Sequence, residues 1–366
     1  KKRCSPPMFK NFKNIDKILY GRGSFRALPQ ILDEKRKVND RFFLFLVDAY
    51  FQNHPLARQL PALAEDVVRF IDVDPQEPTT QQVDQLRDEI RSAKGLPAGV
   101  IGIGGGSILD LAKAVSLMFT NEGSSVQYQG LNLIKAPGIY HLGIPTISGT
   151  GAEVSMTAVL TGPQKKLGLK CDWTVFNQVI LDPELIASVP RDKWFYTGMD
   201  TYIHCIESET GTLNNAFSHA YAEQALHLCR KVYLGAGAGQ SPENDDHLMV
   251  ASLMGGLSLT YSEVGVCHAL SYGLSKILGE RHCFANCLAF QHLEDYYPDG
   301  VREFKKMLVQ HQVQLPQGRS RQWTDAQINA MAEVAYQLPH MWNHAIGADW
   351  KDKISVDTIK ALYKRM

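Results

Sequence analysis

Short apolar runs alternate with longer mixed stretches through the first half of this chain. Phe42 to Val47, Val67 to Ile71 and Val100 to Ile103 are rich in Val, Ile, Leu and Phe, the pattern of strands buried on both faces of a parallel sheet. A helical stretch follows each run, at Leu56 to Ala64, Thr80 to Ala93 and Ile108 to Met118. Pro75, Pro78, Gly95 and Pro97 punctuate the alternation, which predicts a parallel α/β sheet. Beyond about Pro190 the strand-like runs give way to long helical stretches such as His219 to Tyr233, His247 to Ser262 and Asp325 to Tyr336. Gly235 to Pro242 reads as a surface loop between two of them. The layout predicts an α/β domain over residues 8–190 and an all-helical domain over 191–366.

Two loops in the first half carry chemistry. The run Val100-Ile101-Gly102-Ile103 ends in Gly104, Gly105 and Gly106, and Ser107 is the expected N-cap of a helix bearing Ile108, Leu111, Ala112 and Val115. A strand, a glycine turn and a helix N-terminus form an anion site, because backbone N–H groups and the helix dipole both favour negative charge. The spacing is not GxGxxG, so the generic dinucleotide fingerprint is absent. A second loop of small residues, Pro145 to Ser155, offers Thr146, Ser148, Thr150 and Gly151. Two such loops favour a nucleotide. Asp48 closes the strand FFLFLVDAYF, where a carboxylate either accepts hydrogen bonds from a ribose diol and repels a 2′-phosphate, or caps a turn.

The second half offers a metal-ligand set. Asp200 and His204 fall in TGMDTYIHCIESE, which has no Gly or Pro after Met199, so this i, i+4 pair shares one helix face. His268 and His282 bracket a second helical segment. Three imidazoles and one carboxylate suit a divalent Fe²⁺ or Zn²⁺ ion and leave a net positive charge that favours a developing alkoxide. Any one histidine alone reads as a packing residue; the four gain weight from the phosphate cradle upstream. Cys205 and Cys267 adjoin the set and read as small packing residues.

Composition narrows the class. The 366 residues are 45% apolar and 21% charged, with 38 basic and 38 acidic side chains, as in an ordinary globular enzyme. No basic stripe points to nucleic acid, and no apolar run reaches membrane-spanning length. Lys1 to Pro7 leads into no apolar segment and reads as an expression remnant before a start at Met8 rather than a secretory signal. Seven cysteines without CxxC spacing favour reduced thiols in the cytoplasm.

Taken in order, GGGSILDLAK, IPTISGTGAEVS, LDPELIASVP, GMDTYIHCIE and the His268 to His282 segment resemble the metal-dependent (iron-containing, group III) alcohol dehydrogenases. The resemblance spans roughly residues 15–366. It implies an N-terminal dinucleotide-binding domain, an all-helical metal domain and reaction in the cleft between them. It implies that Asp200, His204, His268 and His282 hold the metal, and that Asp48 goes with NAD. It further implies that Asp110 and Lys113 support the glycine loop, and that Lys166 contacts cofactor ribose, although Lys165 and Lys170 compete for that match. Many members carry a second histidine four residues after the third ligand; Tyr272 stands there, a phenol that relays a proton without titrating near neutrality and is a candidate for substrate contact.

Overall similarity, with Tyr272 and RHCFAN in place of PHGVAN, resembles the branch that oxidises the terminal hydroxyl of the eight-carbon sugar acid Kdo (3-deoxy-D-manno-octulosonate) ahead of an aminotransferase in lipopolysaccharide sugar biosynthesis. Arg281 and Lys276 are candidate contacts for an acidic polyol. The alternatives are a simple alcohol, diol or glycerol as substrate, a lyase of the dehydroquinate synthase type, and a silent nucleotide-binding relative. The strand near Lys17 to Gly21 is a candidate pairing edge for a homodimer.

Overall fold

The structure, a computed structural model, describes residues 11–72 and 77–366; the Met8 start, the Lys1 to Pro7 remnant and Pro75 lie outside the described residues. The first half contains strands β1 (Lys17–Tyr20), β2 (Phe43–Asp48), β3 (Val67–Ile71), β4 (Gly99–Gly104), β5 (Gly130–Leu131), β6 (Tyr140–Pro145), β7 (Thr157–Thr161), β8 (Lys166–Lys170) and β9 (Gln178–Leu181). Helices α1 (Leu28–Arg36), α2 (Thr80–Lys94) and α3 (Gly106–Met118) lie among them. Six strands form one sheet in the order β1-β9-β6-β4-β2-β3, every pairing parallel. A smaller sheet, invisible in the sequence pattern, has the order β5-β8-β7 with β7 antiparallel to β8.

Strand β2 shows why its apolar run is continuous. Phe43, Phe45 and Val47 enter the core on the α1 face, while Leu44 and Leu46 enter the core under α2 and α3. Helix α3 presses against β4 because Gly102 lacks a side chain; a Cβ there would lie 2.7 Å from the Cβ of Ala112. The strand order reverses between β2 and β4: the chain steps from β2 outward to β3, then returns past β2 to β4, β6 and β9. Asp48 and the Gly104 turn sit at the carboxyl ends of the two strands flanking that switch, where ligands of open α/β sheets bind.

Two local expectations are corrected. The stretch Leu56 to Ala64 forms only a 3₁₀ turn at Pro55–Gln59, because Leu60 precedes Pro61 and takes an extended conformation. Helix α3 starts at Gly106 with extended Gly105 as its N-cap, so Ser107 is inside the first turn rather than capping it. A glycine cap brings no side chain to occupy the space in front of the first-turn amides.

From Arg191 the chain is helical: α4 (Arg191–Thr210), α5 (Ala216–Leu234), α6 (Pro242–Tyr261), α7 (Val266–Leu278), α8 (His282–Phe290), α9 (Pro298–Gln310), α10 (Asp325–Tyr336), α11 (Pro339–Ile346), α12 (Trp350–Lys353) and α13 (Val356–Lys364). None of the described helices is long and apolar enough to cross a membrane. The halves are seated on each other through shared packing. Met249, Leu257 and Tyr261 of α6 belong to the core under the large sheet. The loop after β6 is clamped between α4 and α6: Gly149 N–H donates to Ser252 Oγ at 2.8 Å, and its carbonyl accepts from Thr201 Oγ1 at 2.7 Å. A Cβ on Gly149 would fall 1.8 Å from the Thr197 carbonyl oxygen, so only glycine fits. Gly149→Ala is therefore expected to destabilise the protein by about 2 kcal/mol or more through overpacking, read as a lower midpoint of thermal unfolding; an unchanged midpoint would show that the loop yields freely.

Candidate metal and cofactor site

Three helices bring the four candidate ligands together. Asp200 and His204 are one turn apart on α4, His268 lies in the first turn of α7, and His282 is the first residue of α8. One ligand atom from each residue lies within 4.8 Å of the others. The Nε2 atoms of His204, His268 and His282 stand 3.6, 3.4 and 3.6 Å from Asp200 carboxylate oxygens, so all three rings turn the same nitrogen inward. The Asp200 side chain is wholly buried and those of His204 and His268 nearly so, while His282 keeps 23% exposure and marks the open side.

The electrostatics follow from that burial. Burial alone would raise the Asp200 carboxyl, but His204, His282 and His268 hold it well below the usual carboxylate range. Burial pushes His204 down to about 4 and also lowers His282. Burial opposes charge on His268 as well, yet Glu207 and Asp200 raise it to about 9. Three convergent imidazole nitrogens around one buried carboxylate form the donor set of a small divalent cation, and the geometry fits one.

The sequence reading missed two residues that position the ligands. Glu207 Oε2 lies 2.5 Å from His268 Nδ1, which turns Nε2 toward Asp200. Its other oxygen accepts from the Cys267 N–H at 2.6 Å and the Tyr297 hydroxyl at 3.1 Å. Burial would raise Glu207, but His268 and the backbone N–H groups of Gly265 and Cys267 lower it. A carboxylate behind a ligating histidine fixes the ring and raises its basicity. Asn286, one turn after His282, donates to Asp200 Oδ1 at 2.6 Å and lies 3.1 and 3.3 Å from the Nε2 atoms of His268 and His282. Helical spacing carried the signal for both: Glu207 follows Asp200 by seven residues and Asn286 follows His282 by four.

The candidate cofactor residues gather at the switch point. A Cβ on Gly106 would meet Thr150 Oγ1 at 2.8 Å, so the glycine turn and the loop after β6 are in close approach. Thr146 and Ser148 are buried there, and Ser148 Oγ has no hydrogen-bond partner in the protein. Asp110 Oδ2 accepts from Val159 N–H at 3.0 Å. The fully buried Lys113 donates to the carbonyls of Ser155 and Thr157, each at 3.0 Å. Asp110 thus ties β7 to α3, and Lys113 ties both β7 and the end of the loop after β6 to the same helix. Asp48 Oδ1 accepts from Tyr50 N–H at 3.0 Å, so the carboxylate caps its own turn at the strand end. Lys166 is placed beside the metal cluster, paired with Glu77. The Tyr272 ring meets that of His282 at 6.1 Å between centroids. Lys276 donates to the Gln164 carbonyl at 2.6 Å, and Arg281 is exposed beside His282. Cys205 and Cys267 are buried, with Cys267 Sγ donating to the Asn286 carbonyl.

Comparison with known proteins places this geometry. Residues 16–183 match the family described as iron-containing alcohol dehydrogenase, and residues 194–339 match the Fe-containing alcohol dehydrogenase family, C-terminal. The chain is 31% identical over 283 residues to 1-propanol dehydrogenase PduQ of Salmonella typhimurium, covering 74% of this chain and 69% of that protein. It is 34% identical over 201 residues to sulfoacetaldehyde reductase of Bilophila wadsworthia, spanning 53% of this chain and 50% of the relative. Among solved structures, sulfoacetaldehyde reductase from Bifidobacterium kashiwanohense in complex with NAD+ superposes with a TM-score of 0.79 at 22% identity, over 97% of this chain and 98% of that one. A 1,3-propanediol oxidoreductase gives 0.82 at 19% identity, over 97% and 99%.

Two outcomes follow from the site's charges. A cation needs neutral imidazoles, so its uptake near neutral pH is expected to displace about one proton, from His268, and affinity is expected to rise from about pH 7 to about pH 9 and then level off. Titration calorimetry in buffers of different ionisation enthalpy reads both quantities; a pH-independent affinity would contradict the charge assigned to His268. Glu207→Gln is expected to weaken cation binding about ten- to a hundredfold while leaving the helical circular dichroism signal in place.

Proposed function

The chain belongs to the iron-containing alcohol dehydrogenase family and is an NAD- and divalent-metal-dependent oxidoreductase acting on alcohols; from that premise we propose that it oxidises the terminal hydroxyl of a polyol or sugar acid, with Kdo as the specific substrate. The observation that carries the site assignment is the convergence of three Nε2 atoms on the buried Asp200 carboxylate. When bound, a divalent cation would supply Lewis acidity toward an alcohol oxygen, and NAD would serve as the hydride acceptor. Asp200, His204, His268 and His282 would hold the cation, Glu207 fixes the His268 ring, and Asn286 fixes the Asp200 carboxylate.

On the cofactor side, the glycine turn Gly104 to Gly106 presents the N-terminus of α3 to a pyrophosphate, with Thr146, Ser148 and Thr150 lining the facing loop. Asp48, at the neighbouring strand end, accepts from a ribose diol with the carboxylate oxygen that its turn does not use. The substrate enters beside His282, the most exposed of the four ligands. Tyr272 lies against the His282 ring, with the Lys166 ammonium over the Tyr272 ring.

What supports Kdo is the overall resemblance, with Tyr272 and RHCFAN as its local marks. Oxidation of a terminal hydroxyl yields an aldehyde, the substrate class an aminotransferase consumes. A simple alcohol is the second reading, favoured by similarity to a 1-propanol dehydrogenase. Purified protein supplied with Fe²⁺ or Zn²⁺ and NAD is expected to oxidise Kdo with a kcat/KM at least about tenfold above that for 1-propanol, followed by nicotinamide absorbance with oxygen uptake recorded in parallel. Equal values on the two substrates would remove Kdo in favour of the simple alcohol, and substrate-dependent oxygen uptake without free NADH would assign a retained, reoxidised cofactor.

A further inference from the structure

His282 is the least secured of the four candidate ligands. Asp200 and His204 lie inside the 20-residue α4, and His268 has Glu207 behind its outer nitrogen. The Nδ1 atom of His282 is buried and has no hydrogen-bond partner among the described residues. His204 shares that lack, but a helix interior holds its backbone. The direction of the His282 ring rests on a backbone that is only starting a helix. Helix α7 ends at Leu278, Gly279 turns the chain in a left-handed conformation, and Glu280 and Arg281 lead directly into His282. Arg281 is the N-cap of α8 and makes no side-chain capping bond. A helix end without a cap opens more readily than a helix interior.

A segment distant in sequence holds α8 at both ends. Arg319 Nη1 lies 2.6 Å from Glu280 Oε1, in a pair whose side chains are 25% and 17% exposed. Gln317 Nε2 donates to Gln291 Oε1 at 2.7 Å, and Gln291 is the C-cap of α8. The segment is itself anchored. Ser320 Oγ donates to the Lys364 carbonyl at 3.0 Å, and Trp323 packs against the helical core. Helix α8 carries both His282 and Asn286, so one element brings a ligand and the amide that fixes Asp200. A partly exposed ion pair contributes little to overall stability. Its position gives it consequence, because it fixes the backbone just ahead of a ligand that has no partner behind its ring.

We propose that Arg319 and Gln317 are positioning residues for the cation site: they strap α8 at its two ends and hold His282 Nε2 within reach of Asp200. The inference rests on reading the Asp200 cluster as a cation site. Neither side chain touches the cluster; both act through the placement of α8.

The test measures Zn²⁺ affinity by competition with a chromophoric chelator, with thermal unfolding recorded for every protein. The variants are Arg319→Ala, Arg319→Lys and Gln317→Ala. Arg230→Ala, which breaks the pair between Arg230 of α5 and Glu303 of α9, is the comparison. Arg319→Ala and Gln317→Ala are each expected to bind Zn²⁺ about three- to fivefold more weakly than the native chain. Arg319→Lys, which keeps the charge, should retain most of the affinity, and Arg230→Ala should leave it unchanged whatever it does to the unfolding midpoint. Native affinity in both alanine variants would overturn the strap, as would an equal loss in Arg230→Ala, which would assign the effect to general loosening. Should the native chain itself bind no Zn²⁺, the reading of the cluster fails. Hydrogen exchange followed by mass spectrometry then decides the strap separately. Faster exchange at the start of α8 in Arg319→Ala, with α7 unchanged, would support it; identical exchange in the two proteins would overturn it.

Discussion

A carboxylate with no exposure to water is tolerated only where it is surrounded by donors or positive charge. Asp200 sits in that position at the meeting of α4, α7 and α8, and its oxygens face three imidazoles and the Asn286 amide. Those partners come from three helices, so the helices must pack at one relative placement for the charge to be satisfied. Glu207 repeats the arrangement one shell outward, joining α4 to the first turn of α7 through His268 and Cys267 N–H. The packing of the helical half and its capacity to grip a cation are thus consequences of the same buried charge.

The sheet supplies a complementary site from opposite principles. Gly104 to Gly106 and the loop after β6 gather small side chains and backbone amides instead of charges, which suits an extended anion approaching the backbone closely. Gly149 connects the two sites, since its loop is held by Ser252 and Thr201 of the helical half. A shift of that loop would disturb its approach to the glycine turn and its hydrogen bond to α4 together. Hydride transfer needs two reactants held in contact, and a shared clamp sets that distance better than independent loops.

The folded chain gives three residues singled out in the sequence places or partners that local pattern does not show. Lys166 resembles a cofactor contact by motif, and the fold adds an ion pair with Glu77 and a place against the Tyr272 ring. Asp48 reads as a ribose acceptor, and it caps its own turn while standing at the switch point. Ser107 reads as a helix cap, but Gly105 takes the place because an extended glycine lets the strand pass into α3 with no side chain at the helix entrance.

Local pattern sufficed for the parallel sheet, for the change to helices after Pro190, and for the pairing of Asp200 with His204, because strand burial and helical spacing are properties of neighbouring residues. The glycine turn was legible for the same reason: strand, turn and helix start are contiguous. The small β5-β8-β7 sheet was not, since two of its strands join only through a pairing distant in sequence. Nor could the sequence show that Glu77 meets Lys166 across 89 positions, or that Glu207 lies behind His268 across 61. Residue types determined what chemistry the chain had available; only tertiary packing decided which donors, acceptors and charges face one another, because those contacts depend on how whole helices and sheets are seated.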